Sequence, residues 1–286
     1  MQRVLITGAA GVLGREITGL LERSGDYELR LTDMLPLDTA REFRPADLTD
    51  PEQVAGLAEG MDQVVHVAAI HPWKPYTPQQ YLDCNIKGTY HVVEETARAG
   101  ARLVYTSSVA AMGYEVGPAA PLPFTEERPC EPVDSLYSIS KLAGEQFCAM
   151  FQRSHGLRWV ALRPGTFIPR DEADPAYGLN LLGIGVHRED VAQAHLLALQ
   201  SDINGEAIIV TAGVPFSQEE SDELLSDART VILRHFPEAS RLEEAGVALP
   251  ASLPVCYRID KAQRLLGYEP QHTFARWLAH WLDARP

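Results

Sequence analysis

Cysteine is scarce in this 286-residue chain, and Cys84, Cys130, Cys148 and Cys256 stand far apart. Their spacing excludes a C-x-x-C zinc site and gives no disulfide framework, so core or surface thiols are expected. Basic charge is also short: 25 lysines and arginines face 39 acidic residues, for a net charge of −14 and a pI near 5.1. A chain of that sign lacks the basic face that nucleic acid or an anionic membrane requires, so neither is expected as a partner. No apolar run approaches the roughly 18 residues that a bilayer span needs. The N-terminus shows neither a basic n-region nor a small-residue cleavage site. These absences lead to the expectation of a soluble, cytoplasmic protein. The 45% hydrophobic content supports a full core.

What is present begins at once. Val4-Leu-Ile-Thr-Gly8-Ala-Ala-Gly11-Val-Leu-Gly14 is an apolar run broken by three glycines at a spacing of three. An amphipathic stretch over Arg15–Leu21 follows, and Asp33 ends a second apolar run. Strand, glycine turn, helix, strand and carboxylate in that order open a dinucleotide-binding βαβ unit. Gly8 permits the sharp turn, Gly11 leaves room for a pyrophosphate, and Gly14 lets the helix pack closely on the sheet. Gly8, Ala10, Gly11, Val12, Leu13 and Gly14 are therefore candidate cofactor-binding residues. Asp33, 19 residues past Gly14, is placed to accept hydrogen bonds from a ribose. Its charge repels a 2′-phosphate and no cation adjoins it in Met34-Leu35-Pro36, so NAD is expected rather than NADP.

Apolar runs at Val4–Thr7, Leu29–Thr32, Val64–Ala68, Leu103–Thr106 and Trp159–Leu162 alternate with helical patterns. The helices are predicted near Arg15–Leu21, Pro51–Glu59, Pro78–Ala99 and Leu136–Arg153. Fully apolar strands interleaved with helices predict an α/β fold, a doubly wound parallel sheet covered on both faces. Thr77-Pro78 starts a helix that Gly100 ends. Ser217-Gln-Glu-Glu220 has capping-box form and predicts a helix using Leu224, Leu225, Val231, Ile232 and Leu233. A soft boundary near Pro164 divides the chain into a cofactor-binding part, 1–164, and a mainly substrate-binding part, 165–286.

Tyr137-Ser-Ile-Ser-Lys141 puts a phenol and an ammonium on one helix face. In a chain with ten tyrosines and four lysines, chance supplies about 0.14 such pairs. A tyrosine with a pKa near 10 is no base at neutral pH, but an adjacent cation favours the phenolate. Ser108, after the strand ending Tyr-Thr-Ser-Ser, stands where ligands sit in such sheets. The alternative is that Ser107 and Ser108 are strand-end turn formers, a reading that weighs more on Ser107 than on Ser108.

The glycine spacing, Tyr137 with Lys141, Ser108, Val67-Ala68-Ala69, Asn85 in Asn-Ile-Lys-Gly, and Arg163-Pro164-Gly165 together resemble the extended short-chain dehydrogenase/reductase family. That family is also known as NAD-dependent epimerases/dehydratases. The resemblance implies a Rossmann-type sheet with a small C-terminal substrate-binding subdomain, NAD as cofactor, and Ser108, Tyr137 and Lys141 as catalytic residues. It places Asp47 and Leu48 beside the adenine, and Ala68, Ala69 and Ile70 along the nicotinamide ribose. It also implies Pro164 as a further cofactor contact. Asn85 would hold the Tyr137/Lys141 helix or a relay water, and Tyr137 and Lys141 would also touch the ribose.

Only 24 positions separate Arg163 from His187, little chain for a nucleotide-sugar pocket. That short segment, with the Lys74-Pro75 region, is more similar to the uronate dehydrogenases. The similarity implies hydride transfer from a carbohydrate-type hydroxyl, of a small free sugar or a uronate, to NAD. The alternative is an epimerase of nucleotide sugars that retains its NAD. Arg170 would bind the substrate carboxylate, and Thr166 and His71 its hydroxyls, although His71-Pro-Trp73 also reads as a packed turn. No catalytic metal is implied. The family resemblance further implies a homodimer formed by a four-helix bundle of the 78–99 and 136–153 helices. Tyr90, Val93, Phe147 and Met150 would contribute there or pack within the chain.

Overall fold

The computed structural model describes residues 1–117, 120–132, 135–167 and 171–284. The chain runs through β1 (Gln2–Thr7), α1 (Val12–Ser24), β2 (Tyr27–Thr32), β3 (Glu42–Phe43), α2 (Pro51–Val54) and β4 (Gln63–His66). Then come α3 (Pro78–Tyr81), a π-helical segment (Leu82–Gly88), α4 (Thr89–Arg98), β5 (Arg102–Thr106) and a 3₁₀ turn (Val109–Met112). After these follow α5 (Leu136–His155), β6 (Trp159–Pro164), α6 (Pro175–Asn180), α7 (Arg188–Gln200) and β7 (Glu206–Val210). The remaining helices are α8 (Ser221–Ser226), α9 (Ala228–His235), α10 (Ser240–Glu244), α11 (Asp260–Leu266) and α12 (Phe274–Asp283).

The strands form one sheet in the order β3-β2-β1-β4-β5-β6-β7, parallel from β3 to β6. Order reverses direction between β1 and β4, the crevice where a doubly wound sheet takes its ligand. Val4, Ile6, Leu31, Val64, Val65, Leu103, Val104, Val160 and Leu162 are wholly buried. Residues of both parities in one strand are covered, which is why these strands read as unbroken apolar runs. The doubly wound, Rossmann-type sheet expected from the sequence is the architecture observed.

The framework consists of two compact units. One comprises Met1–Gly113, Cys130–Arg163 and Ala192–Ile208; the other comprises Tyr114–Pro129, Pro164–Val191 and Ile209–Pro286. The chain thus returns twice to the first unit. Among the described residues no helix is long and apolar enough to cross a membrane, and Cys84, Cys130, Cys148 and Cys256 form no disulfide.

Three predicted helices are corrected by the structure. The one over 51–59 stops at Val54, because Ala55 swings to ψ 125° and Gly56 takes φ +79°. Buried Arg30 then collects the free carbonyls of Leu57 and Glu59 at 2.8 and 2.9 Å. The helix over 78–99 is interrupted by the π segment, whose wider turn holds Asn85 inward at 2% exposure. The helix opening at Ser217 breaks at Asp227, which has φ −152° and ψ 61°. Asp227 caps the next helix, accepting the Thr230 N–H and hydroxyl at 3.3 and 2.6 Å. Leu224, Val231 and Ile232 are buried nonetheless. Of the residues suggested for a subunit interface, Val93 is fully buried inside the chain. Tyr90 packs edge-on against Phe147 and Phe151, and Met150 stays 40% exposed.

Candidate active site

Parallel register makes the strand ends meet along one edge: Thr7 pairs with Thr32 and His66, and Thr106 with Leu162. Gly8–Leu13, Asp33, Val67–Ile70 and Ser107–Ser108 therefore leave the sheet side by side. The strand expected to reach Ala68 ends at His66, freeing residues 67–70 for this edge. Gly8 has φ +71°, and a Cβ there would stand 2.7 Å from the Ala68 backbone. A Cβ on Gly14 would stand 2.2 Å from the Gly8 carbonyl oxygen. Only glycine allows α1 to start so close to β1. Gly11 caps α1 without any side-chain bond to the helix, which leaves first-turn N–H groups for a phosphate. The glycine cradle fits the pyrophosphate of a dinucleotide.

Asp33 is held at the end of β2. Its Oδ2 accepts the Ala10 N–H at 3.0 Å and its Oδ1 the Leu35 N–H at 2.9 Å. Arg30, the nearest cation in sequence, is occupied by Leu57, Glu59 and Glu42 and offers nothing to a 2′-phosphate. Asp47 accepts the Thr49 N–H at 2.9 Å, and the Leu48 carbonyl bonds His91 Nδ1 at 2.9 Å. Ala68 N–H approaches Thr7 Oγ1 at 3.4 Å. Ala69 leads from it to Ile70, whose N–H and C=O both bond the Asn85 amide, at 2.8 and 3.0 Å. Asn85 Nδ2 also reaches Ser140 Oγ on α5 at 3.2 Å. One asparagine thereby ties the 67–70 loop to the helix carrying Tyr137.

Helix α5 starts where the Ser135 side chain accepts the Ser138 N–H. Its buried face includes Tyr137, Lys141, Gly144, Glu145 and Cys148. A Cβ on Gly144 would lie 2.3 Å from the Tyr105 hydroxyl, so glycine lets α5 close down on β5. Lys141, 3% exposed, donates to the Thr106 carbonyl at 2.8 Å. Its Nζ is 5.7 Å from the centre of the Tyr137 ring. Burial lowers the Lys141 pKa to about 8, opposed by Cys84 and Glu145, so the ammonium is charged at neutral pH. Ser108 accepts the Ala110 N–H at 3.2 Å and so caps the 3₁₀ turn; its hydroxyl proton remains for another acceptor.

His71 lies over Tyr137, with ring centres 5.1 Å apart at 42°. Burial first, then the Lys141 charge, lowers its pKa to about 4, so the imidazole is neutral. Thr166 sits in the second unit, in a bridge to Gly185, donating its N–H to the Ile184 carbonyl at 2.8 Å. Pro164 closes β6. Arg170 lies outside the described residues. The structure thus gathers Ser108, Tyr137, Lys141, Asn85 and His71 within the first unit.

Glu145 is a functional residue not among those expected from the sequence. Its carboxylate accepts Ser107 Oγ at 2.6 Å and both Arg163 Nε and Nη2, at 2.9 and 2.7 Å. All three partners are buried, and the cluster pins α5 to the ends of β5 and β6. Its signal was available: Tyr137, Lys141 and Glu145 recur every four residues. Thr106 Oγ1, bonded to buried His195 at 2.8 Å, carried no such signal.

The Lys141 shift has a sign that can be measured. Below about pH 8 the ammonium is charged in both folded and unfolded chains, and folding bears its burial cost. From there to about pH 10.4 the unfolded chain holds the proton that the folded one has released. Stability from this group therefore rises with pH across that window. A Lys141→Met variant has no such term. Its stability relative to wild type is expected to fall between about pH 7 and pH 10 in urea denaturation. A constant difference would show that burial does not perturb this lysine.

The match to known proteins follows the same geometry. Residues 4–176 match the model of the NAD dependent epimerase/dehydratase family. The chain is 30% identical over 175 residues to a uronate dehydrogenase of Pseudomonas syringae pv. tomato, covering 59% of this chain and 61% of that protein. It is 35% identical over 178 residues to a uronate dehydrogenase of Agrobacterium fabrum, covering 59% and 63%. The matched region thus spans less than two thirds of these relatives. A short-chain dehydrogenase/reductase superfamily protein of Agrobacterium tumefaciens, solved with bound NAD, superposes with a TM-score of 0.72 at 22% identity. That alignment covers 99% of this chain and 97% of the other, and shows the shared fold. With its glycine cradle, Asp33 and parallel sheet all in place, this chain belongs to the NAD dependent epimerase/dehydratase family.

Proposed function

We propose that the protein is an NAD-dependent oxidoreductase that removes a hydride from the carbon bearing a carbohydrate-type hydroxyl of a small free sugar or uronate. The observation that carries this reading is the Tyr137/Lys141 pair, buried on one face of α5 beside the strand end bearing Ser108. NAD, when bound in the glycine cradle, supplies the carbon that takes the hydride. The protein's own residues do the rest. Ser108 donates its hydroxyl to the substrate oxygen. Tyr137 accepts the substrate's hydroxyl proton, and the Lys141 ammonium stabilises the phenolate. Asn85 holds the 67–70 loop against α5, and neutral His71 offers a hydrogen bond to a substrate hydroxyl.

On the same reading residues 1–164 bind the cofactor and 165–286 mainly the substrate. Thr166 then contacts a hydroxyl and Arg170 the carboxylate. The uronate dehydrogenase relatives support the substrate class. A cytoplasmic location accords with four cysteines that form no disulfide. We further propose a homodimer formed by a four-helix bundle of the 78–99 and 136–153 segments, on the second of which Met150 is exposed; sedimentation is expected to give twice the 31.5 kDa chain mass.

The deciding experiment offers the enzyme and NAD a panel of free aldoses, uronates and UDP- or dTDP-sugars, following NADH absorbance. NADH accumulating with a uronate or free aldose is the expected result. No NADH with any free sugar, together with epimerisation of a nucleotide sugar, would assign the NAD-retaining alternative instead.

A further inference from the structure

The second unit contains a cluster of side chains outside the proposed redox site. His187, just before α7, and His272, just before α12, stack with ring centres 3.8 Å apart at 27°. Glu189, in the first turn of α7, places its Oε2 4.0 Å from His187 Nδ1 and 3.9 Å from His272 Nε2. One ligand atom from each of the three residues lies within 4.8 Å of the other two.

The outer nitrogens of both rings are engaged by carboxylates. His272 Nδ1 is 3.1 Å from Asp190 Oδ2, and Asp190 is itself fixed by the backbone N–H groups of Gln271 and His272 at 2.8 and 2.9 Å. With the proton on Nδ1, the Nε2 lone pair faces Glu189. His187 Nε2 is 3.3 Å from Glu172 Oε1, while its Nδ1 accepts a long 3.3 Å bond from the Glu189 N–H. With the proton on Nε2, the Nδ1 lone pair also faces Glu189. Each imidazole therefore has a carboxylate on one nitrogen and a lone pair on the other, turned towards a shared acid. Paired histidines oriented by carboxylates in this way are how proteins present nitrogen ligands to a metal.

We propose that His187 Nδ1, His272 Nε2 and Glu189 Oε2 bind one divalent transition cation of the zinc class, with Asp190 and Glu172 orienting the two rings. Two imidazoles and a carboxylate suit zinc, and water completes the tetrahedron. Bonds of about 2.1 Å put tetrahedral ligands about 3.4 Å apart. Closing from 3.9–4.0 Å is a small movement of the half-exposed Glu189 side chain, and the ion replaces the long backbone bond to His187. Three carboxylates outnumber the two imidazoles, so the site carries net negative charge before the ion arrives whether or not His272 is protonated. A bound ion would clip the start of α7 to the segment before α12, stabilising this unit independently of the redox chemistry.

The test uses the untagged, full-length protein stripped with a chelator. Equilibrium dialysis against zinc alone is expected to give one ion per chain, and cobalt substitution to give the intense visible bands of tetrahedral coordination. His272→Ala and the surface change Glu189→Gln should each abolish both signals, while Glu172→Gln should weaken binding about 10-fold or more. Zinc should raise the melting temperature of wild type but not of His272→Ala or Glu189→Gln, and NAD reduction by these variants should match that of metal-free wild type. One-to-one binding that survives both His272→Ala and Glu189→Gln would place the ion elsewhere and overturn the proposal. So would failure of wild type to bind zinc at all.

Discussion

Replacing Tyr137 with phenylalanine is expected to lower kcat for sugar oxidation by about 10³-fold while leaving NAD affinity within a few-fold of wild type. The substitution removes one oxygen and keeps the ring, so the packing against His71 at 5.1 Å survives. Lys141 also keeps its bond to the Thr106 carbonyl. What disappears is the group proposed to take the substrate's proton. The glycine cradle and Asp33, which lie at the other strand ends, are untouched. Stopped-flow turnover together with NAD titration by tryptophan fluorescence separates the two quantities. Unchanged turnover in Tyr137→Phe would remove the phenol from the mechanism. Equal losses of turnover and NAD affinity would make Tyr137 a cofactor contact only.

A second large effect is expected at Glu145. Glu145 and Arg163 are each about 6% exposed and joined at 2.7 Å, with Ser107 on the same carboxylate. Glu145→Gln leaves the Arg163 guanidinium buried without its anion, a change that typically costs about 3–5 kcal/mol. For a chain of this size the melting temperature should fall by about 10 °C. Replacing both partners with apolar residues of similar volume, as in Glu145→Leu with Arg163→Met, should recover most of the loss, because no buried charge is left alone. Thermal and urea denaturation of the two variants check this. If the single change were harmless, the pair would not be what holds α5 to the strand ends. Turnover should fall as well, since Tyr137 and Lys141 ride on the helix that this pair anchors.

Features set by neighbours in the chain were the ones legible in the residues. Glycines at 8, 11 and 14 face a steric demand local to the strand–helix turn. Strands buried on both faces must be apolar throughout, and four-residue spacing brings Tyr137 and Lys141 onto one face wherever α5 goes. The π segment at 82–88 had no such signature. Its wider turn answers Ile70, whose backbone the Asn85 side chain must reach. The early stop at Val54 likewise depends on Arg30, a strand residue that takes up the loosened carbonyls. Ser108 shows how two readings can coexist: it caps the turn after β5 and still has a proton to donate.

Chain order and composition were therefore enough to specify a parallel sheet, a dinucleotide cradle and a phenol–amine pair, because each follows from backbone sterics or helical period. Folding in three dimensions alone could join Glu145 to Arg163, Asn85 to Ile70, and His187 to His272. These partners are 15 to 85 positions apart. No local rule selects such pairs. They form because burial makes an unpaired charge or amide costly, and the partner is whichever polar group the packed chain brings within reach.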